Sequence, residues 1–284
     1  MEPIKYLLVL AAVVATMFAH MHASAQAYPG SKPVTFVVPF AAGGPTDRVG
    51  RDLAEAMRKS KGGNANLVVE NVTGASGTIG AAKVEKASQD GYTLLLHHIG
   101  MASAPALYRK LSFKTLEDFE VLGMINEVPV TLIGKPQLPA NSYRDFENYT
   151  RTNGGKLNIA HTGLGSASHL CGLMWQSAIM IKKVMTTIPF GRTALAMNAL
   201  VGGQVDLMCD QTTNTTSQIE AGRVKAYAVT SAKSLSNNKP LKDYPTLQEM
   251  GLKGFDLIIW HGLYAPKGLP LAVLTALNEG LKRP

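Results

Sequence analysis

The chain has 284 residues, enough for one large domain or two lobes of ordinary size. Its 28 basic and 20 acidic side chains leave a net charge of +8, but the lysines and arginines are scattered and no aromatic-interleaved basic stripe occurs, which excludes nucleic acid as a partner. The surplus suits the attraction and steering of small anions.

Residues 1–25 read as a secretory signal peptide: Lys5, an apolar run from Tyr6 to Ala19, then Ala23-Ser24-Ala25 before Gln26. The run is too short to prefer spanning a bilayer, and no later stretch is long and apolar enough to do so. The mature chain is expected to be exported, soluble and monomeric. β-type runs then alternate with helical patterns. "VTFVVPF" precedes the helix "TDRVGRDLAEAMRKS", "NLVVENVTGASG" precedes "TIGAAKVEKAS", and "YTLLLHH" precedes a small-residue turn and "APALYRK". This order predicts a parallel, doubly wound sheet with helices on both faces.

The plan restarts at "VPVTLIGK". A helix follows in "SYRDFENYTRTN", capped by Ser142 with Asp145 three residues on, and "KLNIAHTGLGSASHLCGLMWQSA" repeats strand, glycine turn and helix. "TTIPF", "VDLMCDQ" and "VKAYAVT" are further strands, interleaved with "TALAMNALVGG" and "TTSQIEAG". "FDLIIWHGLYAP" is a last strand before the helix "PLAVLTALNEGLKRP". The fold class is therefore α/β with two lobes, each a doubly wound, mainly parallel sheet with flanking helices. Lobe 1 is residues 26–125 plus 256–284 and lobe 2 is 126–255. Ligands of such sheets sit at the carboxyl ends of the strands, here in the cleft between the lobes.

Three glycine-rich turns follow strands and open helices: residues 39–47, 71–80 and 161–170. Each presents unpaired backbone N–H groups at the positive end of a helix dipole, and glycine lets an anion approach closely. Thr73, Ser76, Thr78, Ser166 and Ser168 add hydroxyls. Asp47 would repel an anion; it either caps its own helix or meets an ammonium or amide of the ligand, and capping is the preferred reading. Catalysis is not expected. Gly74, Gly77 and Gly80 do not have the dinucleotide-binding spacing, and no lysine follows for a P-loop. No G-x-S-x-G is present, and Ser166 with His169 would lack an acid. His97 and His98 should point to opposite faces of a strand and have no identifiable metal partners, so no metal and no cofactor is expected. Trp175 and Trp260 sit in apolar runs and read as core. Cys171 and Cys209 are the only cysteines, and pairing and two buried free thiols both remain open.

The segments "PFAAGGPTDRVGRDLAEAM", "NVTGASGTIGAAKVEKASQDGYTLLL", "GLGSASHLCGLMWQ" and "ALVGGQVDLMCDQTTNTTSQIEAGRVKAYAVTS" resemble the Bug-type extracytoplasmic solute receptors, the substrate-binding proteins of tripartite tricarboxylate transporters. The similarity runs over essentially the whole chain after the signal peptide. It implies a periplasmic Venus-flytrap protein that captures a small organic acid or amino acid and delivers it to the membrane subunits of its transporter. By position, the resemblance implies ligand contacts from Phe40, Ala41, Gly43, Gly44, Asp47, Thr73, Gly74, Ala75 and Gly77 in lobe 1. Gly165, Ser166, Ser168 and His169 would face them from lobe 2, with Asp210 and Gln211 near the cleft. Two features depart from the family pattern. Gly191 and Arg192 are inverted after the strand near 188, which brings Arg192 close to the turn. Relatives usually continue for a few tens of residues beyond the position of Pro284, so a shortened C-terminus is expected. A sensor-kinase receptor, or a hydrolase on the same scaffold, is the alternative.

Overall fold

The computed structural model describes residues 28–60 and 65–282; the signal peptide read over residues 1–25 lies outside the described residues. Strand β1 (Val34–Val38) is almost wholly buried, as its apolar run requires. Helix α1 (Pro45–Ser60) starts with proline at its first position, carries Asp47 in its first turn and ends with Arg58 and Lys59, each placed to favour the helix dipole. It lies close on the sheet because Gly50 faces it: a Cβ there would come within 2.9 Å of Val38 Cγ2 and 3.1 Å of Leu96 Cδ2. β2 (Leu67–Asn71), α2 (Thr78–Glu85) and β3 (Thr93–His98) complete a parallel β2-β1-β3 unit.

Helix α3 (Gly100–Leu107) begins within the small residues read as a turn. β4 (Phe119–Gly134) is then much longer than the segment read from Val128. Its first part pairs antiparallel with β9 (Ile258–Pro266), and from Val130 onward it pairs with β7 (Leu207–Gln211). On its other edge lies β8 (Lys225–Val229). β5 (Asn158–His161) joins β6 (Thr186–Pro189) and β7 in a second parallel unit. The strand order is β2-β1-β3-β9-β4-β7-β5-β6, with β8 against β4. The class is the α/β class read from the alternation, but the parallel units are joined by antiparallel β4 and β9, because the chain passes between them as extended strands rather than through helical crossovers.

Helices α4 (Tyr143–Asn153), α5 (Ala167–Ala178), α6 (Thr193–Val201) and α7 (Thr212–Glu220) flank the second unit, and α8 (Leu271–Lys282) packs on the first. One core gathers around Val34, Phe36, Leu94, Leu96 and Leu263, another around Phe146, Trp175, Leu132 and Leu207. In the latter, Phe146 is stacked between Tyr227 at 4.0 Å and Trp175 at 5.0 Å, and the Trp175 indole N–H donates to Tyr143 Oη at 3.2 Å. Cys171 of α5 and Cys209 of β7 are bonded to each other, with Cα atoms 6.0 Å apart. Ser142 caps α4 by accepting from the Asp145 N–H at 3.1 Å. Ser142→Ala should therefore cost about 1 kcal/mol, read from urea melts, with no effect on ligand binding.

Candidate functional site

The N-terminal ends of α1, α2, α5, α6 and α7 meet around one cavity of about 290 Å3. Pro45 and Thr46 line it from the start of α1, Ala75–Gly77 from the 3-10 turn entering α2, and Ala167 and Ser168 from the first turn of α5. Arg192 and Thr193 line it at the head of α6, and Gln211 precedes α7. The first N–H groups of a helix have no partner within the helix, and their dipoles point the same way, so this convergence makes a positive focus without a cluster of basic side chains. Arg192 is the one lysine or arginine on the wall, and Asp210 the one acid.

The turns differ in how their N–H groups are used. In the turn 39–46, Gly43 N–H donates to Asp47 Oδ2 at 2.9 Å, while Arg51 and Asn71 hold the same carboxylate. Burial works to raise the Asp47 carboxyl, but the hydrogen bonds from Arg51, Gly43 and Asn71 outweigh it and hold it below the usual range. In the turn 73–77, Gly74 (φ 132°), Ala75 (φ 43°), Ser76 (φ 50°) and Gly77 (φ 97°) all have positive φ. Ala75 and Ser76 are strained there, and their N–H groups have no hydrogen-bond partner among the described residues. Gly77 also admits a side chain: a Cβ would stand 2.4 Å from His97 Nε2. Gly77→Ala should cost about 2 kcal/mol in stability and weaken cleft binding; melts together with calorimetric titration check both.

The turn 161–168 is built by its own side chains. His161 Nδ1 accepts from Gly163 N–H at 3.1 Å, Ser168 Oγ from Thr162 N–H at 3.0 Å, and His169 Nδ1 from Gly165 N–H at 3.2 Å. Ser166 Oγ caps α5 by accepting from His169 N–H at 3.3 Å. His169 Nδ1 is engaged by the Gly165 N–H, and no hydrogen bond joins the His169 ring to Ser166 among the described residues. The two sides of the cleft touch at its rim, where Tyr108 Oη donates to Leu164 O at 3.2 Å.

At the cleft floor His98 lines the cavity with His97 and His261 buried against it, the His97 and His98 ring centres 5.1 Å apart and those of His98 and His261 6.1 Å apart. His261 spans Thr46 Oγ1 (3.3 Å) and Asn126 Oδ1 (2.8 Å). Burial pushes His97 down to about 3 and His261 to about 4, and burial with the neighbouring imidazoles pushes His98 well below 6.5, so all stay neutral. Asp210 accepts from Gln211 N–H at 2.9 Å and from the Asn214 amide, yet burial raises it to about 6. Gln211 Oε1 is buried with no partner among the described residues. No group of three or more His, Cys, Asp or Glu placed to hold a metal occurs among the described residues.

The model of the TctC family, the tripartite tricarboxylate transporter family receptors, matches residues 49–284. The chain belongs to the TctC family. The solved structure of the periplasmic binding protein BugD is 49% identical, covering 88% of this chain and 81% of that one, at a TM-score of 0.81. MatC from Rhodopseudomonas palustris, solved with bound malate, is 38% identical over 88% of this chain and 83% of its own, at 0.80. R. palustris Rpa4515, solved with adipate, is 32% identical over 89% and 83%, at 0.82.

In this TctC-family chain, Phe40, Ala41, Gly44, Thr73, Gly74, Ala75, Gly77, Ser168, Asp210 and Gln211 stand together on the cavity wall. Gly43, Asp47, Gly165, Ser166 and His169, grouped with them by the resemblance, are not on the cavity wall. Asp47 is tied to Gly43 and Arg51, and Ser166 and His169 shape their own turn. Gly165 faces the rim, where a Cβ would lie 2.5 Å from Leu107 Cδ1. Sequence reasoning missed His98, Thr46, Tyr108, Thr162, Gly163 and Phe190 on the wall. A signal existed for Thr46, Thr162 and Gly163, which fall inside the glycine turns; none existed for Tyr108.

Proposed function

We propose that this chain is a periplasmic solute-binding protein, without catalytic activity, that captures a small carboxylate-bearing solute for the membrane subunits of a tripartite tricarboxylate-type transporter. Residues 26–125 with 256–284 form one lobe and residues 126–255 the other, and β4 and β9, the strands that cross between them, act as the hinge. The observation that carries the reading is the convergence of the α1, α2, α5, α6 and α7 N-termini on one small cavity. A carboxylate there takes backbone N–H donors from both lobes and draws them together, shifting an open–closed equilibrium. The cavity, about 290 Å3, suits a small organic acid. Relatives solved with malate and adipate support that ligand class. The Tyr108–Leu164 contact belongs to the closed form.

The test is a thermal-shift series with malate, succinate, adipate, citrate, aspartate and benzoate, paired with uptake of the best ligand in cells lacking the gene. A selective rise in Tm together with lost uptake is expected; acid at about 100 times its Kd adds roughly 2.7 kcal/mol. A cooperative melt that no acid shifts would refute capture. A shift with unchanged uptake would refute the transport role and favour sensing.

A further inference from the structure

Among the polar side chains on the cavity wall, one is held in place on every side. His98 closes β3, lines the cavity and is 3% exposed. Its ring stacks on Phe40 at 4.3 Å with an interplanar angle of 22°, and His97 and His261 meet it edge-on. The ring fits because residue 100 is glycine: a Cβ there would come within 3.0 Å of His98 Cε1 and 2.8 Å of His97 Cε1. Gly100 N–H donates to His98 Nδ1 at 2.9 Å. A neutral imidazole that accepts at Nδ1 carries its proton on Nε2. Nε2 has no hydrogen-bond partner among the described residues.

We infer that His98 is a ligand-recognition residue: the Gly100 N–H locks its ring as the Nε2–H tautomer, and that N–H donates to a carboxylate oxygen of the solute in the cleft. The inference rests on the carboxylate-capture reading and deepens it. A locked Nε2–H can donate and cannot accept. The solute atom facing His98 is therefore an acceptor, a carboxylate or carbonyl oxygen, and an ammonium group at that place would be left without a partner. Protonation of the ring would put a second N–H at Nδ1 against the Gly100 N–H, and burial opposes it, so the donor is present as a neutral group throughout the physiological pH range. His97 backs it: its Nδ1 accepts from the His98 N–H at 2.8 Å, which fixes the end of the strand.

The test is histidine nitrogen NMR on the whole folded protein at pH 7, titrated with malate, with adipate and with 1,4-diaminobutane as the cationic control. The free protein should show His98 as the Nε2–H tautomer. Malate or adipate should move its Nε2–H resonance in step with the backbone amides of Ala75 and Ser168, and the diamine should move none of them. In binding assays His98→Phe should weaken the acid by about ten- to a hundredfold, and His98→Gln, which keeps a donor, by less. If His98→Phe fails to melt cooperatively, the NMR arm decides alone. An Nδ1–H tautomer overturns the inference. So does movement of Ala75 and Ser168 with His98 unmoved, which leaves carboxylate capture standing. If no acid moves any cleft resonance, both the inference and the capture reading are overturned.

Discussion

Acidification from pH 7 to pH 4 should strip several kcal/mol of stability from this protein, and the buried imidazoles are the reason. His97, His98 and His261 are held neutral by burial, with His97 at about 3 and His261 at about 4. The unfolded chain takes up a proton on each near pH 6.5, so below that pH it binds more protons than the folded chain and stability falls as pH falls. The stability is fully present above pH 6.5 and is lost progressively towards pH 4. His97 and His261 each remove about 3 kcal/mol over that interval. His98 acts in the same direction. Asp210 opposes them: raised to about 6, it binds its proton in the folded state first and returns about 2 kcal/mol between pH 6 and pH 4. The imidazoles win. Melts should show Tm falling by on the order of 10 °C between pH 7 and pH 4.5, and Asp210→Asn should make the fall steeper. A Tm that is flat or rises on acidification would show that the imidazoles are not held neutral.

Removing the Cys171–Cys209 bond should cost about 3 kcal/mol. The bond joins α5 to β7 across a separation of 38 residues, and both cysteines are fully buried. Closing a loop of that length removes enough unfolded-chain entropy to contribute about 4 kcal/mol in the chain-entropy account, with measured bonds spread over roughly 2–4. The double Cys171→Ala, Cys209→Ala variant also leaves the volume of the sulfurs unfilled in a packed core. Its Tm should drop by roughly 6–12 °C, and the denatured, unreduced wild type should titrate no free thiol. Free thiols in that assay, together with an unchanged Tm for the variant, would contradict this.

The parallel units were legible because their strands are continuous apolar runs and their helices carry ordinary start signals, such as Ser142 with Asp145. The start of β4 was not. Its antiparallel stretch leaves Val121 and Met124 exposed at 61% and 63%, so the segment from Phe119 lacks the buried run that marked the other strands. The glycine turns announced helix N-termini, and the structure places all of them at the cavity. The sequence could not show which N–H groups are already spent. That depends on where His161, Ser168, His169 and Asp47 fold back, which only tertiary structure sets. Adjacent histidines in a strand should face opposite ways. Yet β3 ends at His98, and Gly100 and Gly77 clear the space that lets both rings bury near the cleft floor.

Under the proposed function, the cavity between the helix N-termini takes a small carboxylate. Calorimetric titration of wild type and Thr73→Trp with malate and adipate tests it most directly. Thr73 is exposed on the cavity wall, so an indole there fills the cleft without disturbing a core. Wild type should show saturable one-to-one binding of at least one acid, and Thr73→Trp none at an unchanged Tm. Wild-type protein that melts cooperatively but binds neither these nor any other acid of the thermal-shift series, or Thr73→Trp that binds as tightly as the wild type, would contradict it.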